Sequence, residues 1–526
     1  MIKRLLLTIL VIFIITSQNY AIDKDAKKGY ETIKASNLKT HLTVLTSDSL
    51  EGRETTYPGQ KKAAYYIADI FRKLKLEAIG DSGTYLQRFD VDHIRVNPET
   101  NIITEIDGTK RKFSFGTDFI SEGTRDTIIS GPAAFVGFTD TELDSTAKER
   151  LVGRILFVFI GKKSFASDTS KAATLRRLFA LRRDAGALTA LMIPDPEGPA
   201  SYQKVQDMIK GWGLDKGSMQ LRGIIPKWKL QNIRFIVSQD LAETVLKSSG
   251  KTLQQVRNDA LINEQFTPIF IDDINITIES KTIRETKQTE NVLGLLRGSD
   301  PELKSQIVAI TAHYDHLGKN KEGSIFVGAD DDGSGTATVL DLANAFSKNP
   351  IKSRRSILFM TVVGEEKGLL GSQYYTNNPI IPLNQTISNL NIDMIGRLDT
   401  IYEMAKDTNS IYVIGSDKIS LELDSLLKIA NLESENLTLD YRYNNESDPE
   451  QYYRRSDHFN FAKNGVPIVF FFDGNHSDYH KISDTIDKIL FSRMEKVERL
   501  IYTLGWKLAN FDRLLFKKPE QSSESQ

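Results

Sequence analysis

The sequence predicts an α/β fold: a mixed, mostly parallel sheet with helices on both faces, interrupted by a β-rich insertion. Two observations predict it. From Ile274 onward, short apolar runs alternate with helical patterns, and parallel strands covered by crossover helices read in that way. From about Gly116 to Phe270 the pattern changes to runs such as "RILFVFIGK", rich in β-branched and aromatic residues, with no chemical motif among them. The 526 residues, 40% hydrophobic and 26% charged, have ordinary globular composition and enough length for more than one domain.

Each element follows in chain order. "MIKRLLLTILVIFIITSQNYA" sets Lys3 and Arg4 before an apolar run, Leu5 to Ile15, and ends at a small residue, Ala21. That pattern resembles a secretory signal peptide over residues 1–21, and the run is too short for a membrane span. The expectation is export to a periplasmic or secreted location with no stable membrane anchor. There are no cysteines, so disulfides, thiolate metal sites and a cysteine nucleophile are excluded. The net charge of −1 gives no electrostatic case for nucleic acid.

Residues 22–115 form the first part of the main domain. Ala64, Ile67, Ile70, Phe71 and Leu74 at helical spacing predict a helix over Lys61–Leu76, starting near Gly59, and Tyr85–Val91 reads as a strand. Residues 116–270 read as the insertion, with "LRRLFALRRDAGALTALMIPDP" as helix, glycine turn and buried strand. Residues 271–514 resume the main domain. Its strands are predicted at Ile307–Ala312, Ser356–Val363, Ile387–Met394, Ile411–Ile414 and Ile468–Phe472, and its helices include Ala337–Ser347, one near Leu421–Ala430, and Asp487–Asn510. Residues 515–526, including "KKPEQSSESQ", form a polar tail expected to be disordered.

The polar residues after each apolar strand carry the chemistry. "IVAITA" is followed by His313, Tyr314, Asp315 and His316; the next turn holds Asp330, Asp331 and Asp332; "SILFMTVVG" leads to Glu365 and Glu366; "ISNLNI" to Asp393; and "VPIVFFFDGNHSDY" to His480. In open α/β sheets ligands sit at the carboxyl ends of strands, so these residues converge on one edge. Five of the seven histidines lie in this region: His313, His316, His458, His476 and His480. Three adjacent aspartates repel one another unless a divalent cation turns the repulsion into shared attraction. A ligand set of His, Asp, Glu, Asp and His, with no sulfur, suits zinc, with cobalt or manganese as substitutes. Five ligands exceed one open catalytic zinc and suit two ions sharing a carboxylate.

"AHYDHLG", "GADDDGSGTA", "GEEKGLLGS", "NLNIDMIGR", "YRRSDHFNF" and "DYHKISDT" resemble the blocks of the co-catalytic di-zinc aminopeptidases of peptidase clan MH, a group with secreted bacterial aminopeptidases and glutamate carboxypeptidase. "LTSDSLEGRETTYPGQKKAAYYIADIF" is similar to the group's N-terminal segment, and "GRILFVFIGK" with "DAGALTALMI" resembles the protease-associated domain that members carry as an insertion. The resemblance implies a zinc-exopeptidase fold with a catalytic domain built from residues 22–115 and 271–514. It implies that His313, Asp331 and Asp393 bind one zinc, and that Asp331, Glu366 and His480 bind the other. It also implies a cis peptide at Asp331–Asp332, with Gly333 easing the turn.

The same resemblance implies that Glu365 is the general base, acting on water bridged between the zinc ions, and that Asp315 fixes the tautomer of His313. Tyr453 or Tyr479 could donate to the oxyanion, and Arg455 aligns with a substrate-contacting arginine or makes a surface ion pair. His316 and His458 are expected to support loops. The implied activity is removal of N-terminal residues from peptides. A carboxypeptidase or dipeptidase of the same clan shares the ligand set. A glutaminyl cyclase uses one zinc, and a non-catalytic binding protein on this scaffold has lost ligands; the full set here argues against both.

Overall fold

A computed structural model describes residues 21–121, 125–139, 143–160, 178–195, 202–211, 217–224, 235–262 and 266–517. The expected signal peptide, save Ala21, and the last residues of the tail, 518–526, lie outside the described residues. Leu515, expected within the tail, is instead buried in the main core. No helix among the described residues is long and apolar enough to cross a membrane.

Among the described residues the main sheet has ten strands. Its order is Thr438–Asp440, Ser410–Ile414, Ile468–Phe472, Thr386–Ile392, Ile307–His313, Ser356–Val362, Thr282–Leu296, Leu86–Val96 and Ser218–Leu221, with Glu77–Ala78 paired beside Thr282–Leu296. The four strands from Ile468–Phe472 to Ser356–Val362 are parallel, and every residue in them is buried. Strands buried on both faces must be apolar throughout, which is why "IVAIT" and "IVFFF" show no alternation. The strands beyond Ser356–Val362 are antiparallel, so the sheet is mixed with a parallel centre.

Helices cover both faces. Ala35–Leu45, Pro58–Lys73, Gly335–Lys348 and Phe491–Asn510 pack on one. Leu370–Asn377 and His458–Ala462 supply Tyr375 and Phe461 to the core on the other.

A second sheet has eight strands among the described residues, in the order Thr109–Ser114, Asn101–Ile106, Ile269–Ser280, Thr127–Phe138, Ile155–Phe159, Thr189–Ile193, Phe235–Val237 and Phe119–Ser121. It takes in strands on either side of the expected 116–270 span. Asp107 and Gly108, both at positive φ, turn Asn101–Ile106 into Thr109–Ser114, as a tight hairpin requires. The chain leaves the main sheet after Val96 and returns at Thr282, its register partner. Ser218–Leu221 comes from this intervening stretch and pairs with the outer side of Leu86–Val96.

Where three helices of the main domain meet, two carboxyl groups are buried together. Asp341 accepts hydrogen bonds from Asn37 Nδ2 at 3.0 and 3.2 Å and from Asn344 Nδ2 at 3.0 Å. Glu498, fully buried, lies beside it; burial, then the Asp341 charge, holds Glu498 well above the ordinary carboxyl range. Burial likewise pushes Asp341 up to about 6. A raised folded-state pKa gives stability that is full below the unfolded value and is lost as pH rises through the folded one. Glu498→Gln removes one such group while keeping a donor for Asp341. Its melting temperature relative to wild type should therefore climb between pH 5 and pH 8. Parallel melting curves for the two proteins over that range would refute a raised proton affinity at Glu498.

Candidate metal centre

The central strands deliver their polar ends to one edge of the sheet. His313 closes the strand Ile307–His313; Asp393 follows Thr386–Ile392; Glu365 and Glu366 follow Ser356–Val362; His480 lies in the loop after Ile468–Phe472. His313, Asp331, Glu365, Asp393, Arg455 and Tyr479 line a cavity together, with Met394, Tyr452, Phe470 and Phe472 as its apolar wall.

The ligand geometry is specific. His313 Nε2 lies 3.2 Å from Asp331 Oδ1 and 3.5 Å from Asp393 Oδ1. His480 Nε2 lies 3.1 Å from Asp331 Oδ2 and 3.3 Å from Glu366 Oε2. A tetrahedral zinc with ligands at about 2.0–2.1 Å sets those atoms about 3.3–3.4 Å apart. The residues present thus fit two such ions, with the two oxygens of Asp331 facing different clusters. His316 also approaches the second cluster: its Nδ1 is 2.8 Å from Glu366 Oε1 and 3.8 Å from Asp331 Oδ2. With Asp331 and Glu366, His316 makes up a group able to hold an ion, so it competes with His480 for the third place in that cluster.

The flanking aspartates serve the backbone. Asp332 accepts from the N–H of His313, Gly335 and Met394, tying together the ends of two ligand-bearing strands. Asp330 accepts from Gly396 N at 2.7 Å and faces His476 Nε2 at 3.3 Å. Asp484 receives the backbone N–H of both Asp330 and Asp331. The Asp331–Asp332 peptide is cis. Gly333 packs too closely on Leu42 and the Gly328 carbonyl to carry a side chain, and Gly328 is the second glycine the turn requires. Gly328 sits at φ +53°, where a side chain would strike Asp331 O and the His316 ring.

Electrostatics follow from this crowding. Burial lowers the affinity of His313 and His480 for a proton, yet the surrounding carboxylates hold both well above the ordinary histidine value. Burial favours protonated Asp331, but hydrogen bonds from His313 and His480 and the charge of His316 hold it well below the usual carboxylate range. A divalent cation competes with those protons for the same lone pairs. Burial, with the charges of Asp393 and Glu366, holds Glu365 well above the usual range. Tyr479, pushed up by burial and by Asp331 and Glu366, keeps its proton.

Three expectations change in detail. Asp315 reaches His313 Nδ1 through its backbone carbonyl at 3.1 Å, while its carboxylate stands 3.7 Å away. That carboxylate accepts instead from Glu365 N at 3.2 Å and Thr55 Oγ1 at 2.7 Å. Tyr453 does not line the cavity; its ring packs on His458 and Phe459, and Tyr452 takes the lining position. Adjacent residues in an irregular loop point apart, and nothing in "QYYRR" distinguishes them. Arg455 pairs with Glu450 at 3.4 Å and also lines the cavity. His458 is a core residue, pushed down to about 3 by burial and 2.9 Å from Tyr453 O through Nε2.

Sequence reasoning missed Asp457, pushed up to about 7 by burial and accepting from Ser372 Oγ at 2.5 Å. Its place directly before His458 in "RRSDHF" was the available signal.

Comparison with known proteins adds a frame. Residues 291–505 match Peptidase family M28. A probable leucine aminopeptidase of Trichophyton verrucosum is 30% identical over 41% of this chain and 57% of its own length. Aminopeptidase YwaD of Bacillus subtilis is 28% identical over 41% of this chain and 44% of its own. The alignments thus span about half the length of these curated relatives. The structure of an aminopeptidase from Aneurinibacillus sp. strain AM-1 superposes with a TM-score of 0.56 at 18% identity, covering 94% of this chain and 98% of that one. That of BSAP, a zinc aminopeptidase from Bacillus subtilis, gives 0.51 at 19% identity, covering 93% and 97%. These two share the fold over nearly the whole chain, and the stretch similar to peptidase family M28, residues 291–505, holds all the candidate ligands.

Proposed function

We propose that the protein is an exported, zinc-dependent aminopeptidase that uses two zinc ions to hydrolyse the N-terminal peptide bond. One observation supports this above the others: the two oxygens of Asp331 face separate ligand clusters, with Glu365 on the same cavity. His313, Asp331 and Asp393 would hold one ion, and Asp331, Glu366 and His480 the other. When bound, such ions polarise a carbonyl and make water nucleophilic near neutral pH. Glu365, on the cavity but in neither ligand cluster, takes the proton of the attacking water and returns it to the leaving amine. Tyr479, protonated, donates to the oxygen that gains charge. Met394, Tyr452, Phe470 and Phe472 offer an apolar wall to the substrate side chain. The second sheet is read as an inserted domain because the chain leaves and re-enters the main sheet at paired residues, Val96 and Thr282.

A carboxypeptidase reading draws on Arg455, whose guanidinium on the same cavity could pair with a free carboxylate. Peptides blocked at one end separate the two. The purified protein should hydrolyse amino-acid amides and C-amidated peptides, ignore N-acetylated ones, carry close to two zinc ions by elemental analysis, and lose activity in chelator. Hydrolysis confined to N-acetylated peptides with free carboxylates would transfer the assignment to a carboxypeptidase. Activity undiminished in chelator, with no divalent metal bound, would remove both readings.

A further inference from the structure

The segment Glu51–Thr56 lies far outside the stretch matched to the peptidase family, yet it touches three of the loops that carry the candidate ligands and base. Arg53 is fully buried, and its guanidinium donates to the carbonyls of Tyr314, Val327 and Gly328 as well as Leu45, at 2.6–2.9 Å. Its own carbonyl accepts from His316 N. Glu54 pairs with Lys367, just beyond Glu366, at 3.3 Å. Glu51, Arg53 and Thr56 all hold positive φ, a conformation that side chains resist and that recurs at functional sites. Thr55, fully buried between them, gives its hydroxyl to Asp315 Oδ2 at 2.7 Å, and the other oxygen of that carboxylate receives Glu365 N at 3.2 Å.

We propose that Thr55 is a positioning residue for Glu365, acting through the Asp315 carboxylate. The inference rests on the reading of Glu365 as the base. The carboxylate has two oxygens and two donors facing it: one from the base's own backbone, one from this distant segment. Without the hydroxyl the carboxylate can rotate, and the peptide plane that aims Glu365 loses its fixed acceptor. The zinc ligands do not depend on that bond, so the expected signature is confined to turnover.

Thr55→Val keeps the shape and removes the hydroxyl. We expect kcat on an amino-acid amide to fall roughly ten- to a hundred-fold, the order that displacing a reacting group by about an ångström costs. KM and zinc content should stay within two-fold. Thr55→Ser should restore most of the loss. In an Asp315→Ala background Thr55→Val should cost nothing more, because both changes break one linkage. Unchanged kcat in Thr55→Val, loss of zinc from it, absence of rescue by serine, or additive losses in the double variant would each overturn the proposal. Wild-type protein without zinc or amidase activity would overturn the aminopeptidase reading itself, a distinct outcome.

Discussion

Glu365→Gln is expected to lower kcat by ~10²–10⁴-fold, the range typical of lost general acid–base catalysis, with zinc content and fold intact. The side chain lines the cavity but stands in neither ligand cluster, so removing its charge takes away a base and no ligand. KM should move much less, since an interaction used only in the transition state affects turnover rather than substrate binding. Its neighbour gives the opposite signature. Glu366 Oε2 is 3.3 Å from His480 Nε2, and Glu366→Gln should lose metal affinity as well as rate. Elemental analysis and steady-state kinetics on this one pair check the assignment. A zinc lost from Glu365→Gln, with both retained in Glu366→Gln, would show the roles reversed.

Asp331→Ala should strip both metals. Its Oδ1 faces His313 at 3.2 Å and its Oδ2 faces His480 at 3.1 Å, so a single truncation removes one ligand atom from each cluster. The same change leaves buried His313 and half-buried His480 with no shared acceptor between them. Asp393→Ala removes a ligand only on the His313 side and should keep about one zinc per chain. Metal titration of the two apo-proteins reads the difference directly: no tight site in the first, one in the second. Equal zinc content in both variants would show that Asp331 is not shared.

The parts of this architecture legible in the sequence are those governed by burial and by abrupt polarity. Ile468–Phe472 is legible end to end because five apolar residues stop at an aspartate. The strands ending near His313, Glu365 and Asp393 were legible for the same reason. The long C-terminal helix starts at Phe491 rather than Asp487, because Ile486–Lys488 forms a separate short turn. What escaped was irregular or outward-facing. Thr109–Ser114 is exposed at all but Phe113, so its charges masked a strand. Tyr452 and Tyr453 could not be told apart, because loops have no period from which to read a direction. The work of Asp332 and Asp330 on backbone N–H groups, and of Arg53 on carbonyls, involves partners with no sequence signature at all.

The pairing of Ser218–Leu221 with Leu86–Val96 has a consequence for dissection of the molecule. Those four residues cap the outermost long strand of the main sheet, matching Val91 to Ile94. Cutting out the chain between Val96 and Thr282 and joining the two by a turn would leave a plausible hairpin, yet would strip that cap. The uncovered backbone N–H and C=O groups would form an open edge, the feature through which sheets recruit other chains. The excised main domain should therefore self-associate even if its zinc centre is intact. Charged residues placed at Val91 or Leu86 would not cure this, since both are buried on the core side. A proline at an unpaired outward position would block edge pairing without touching the core.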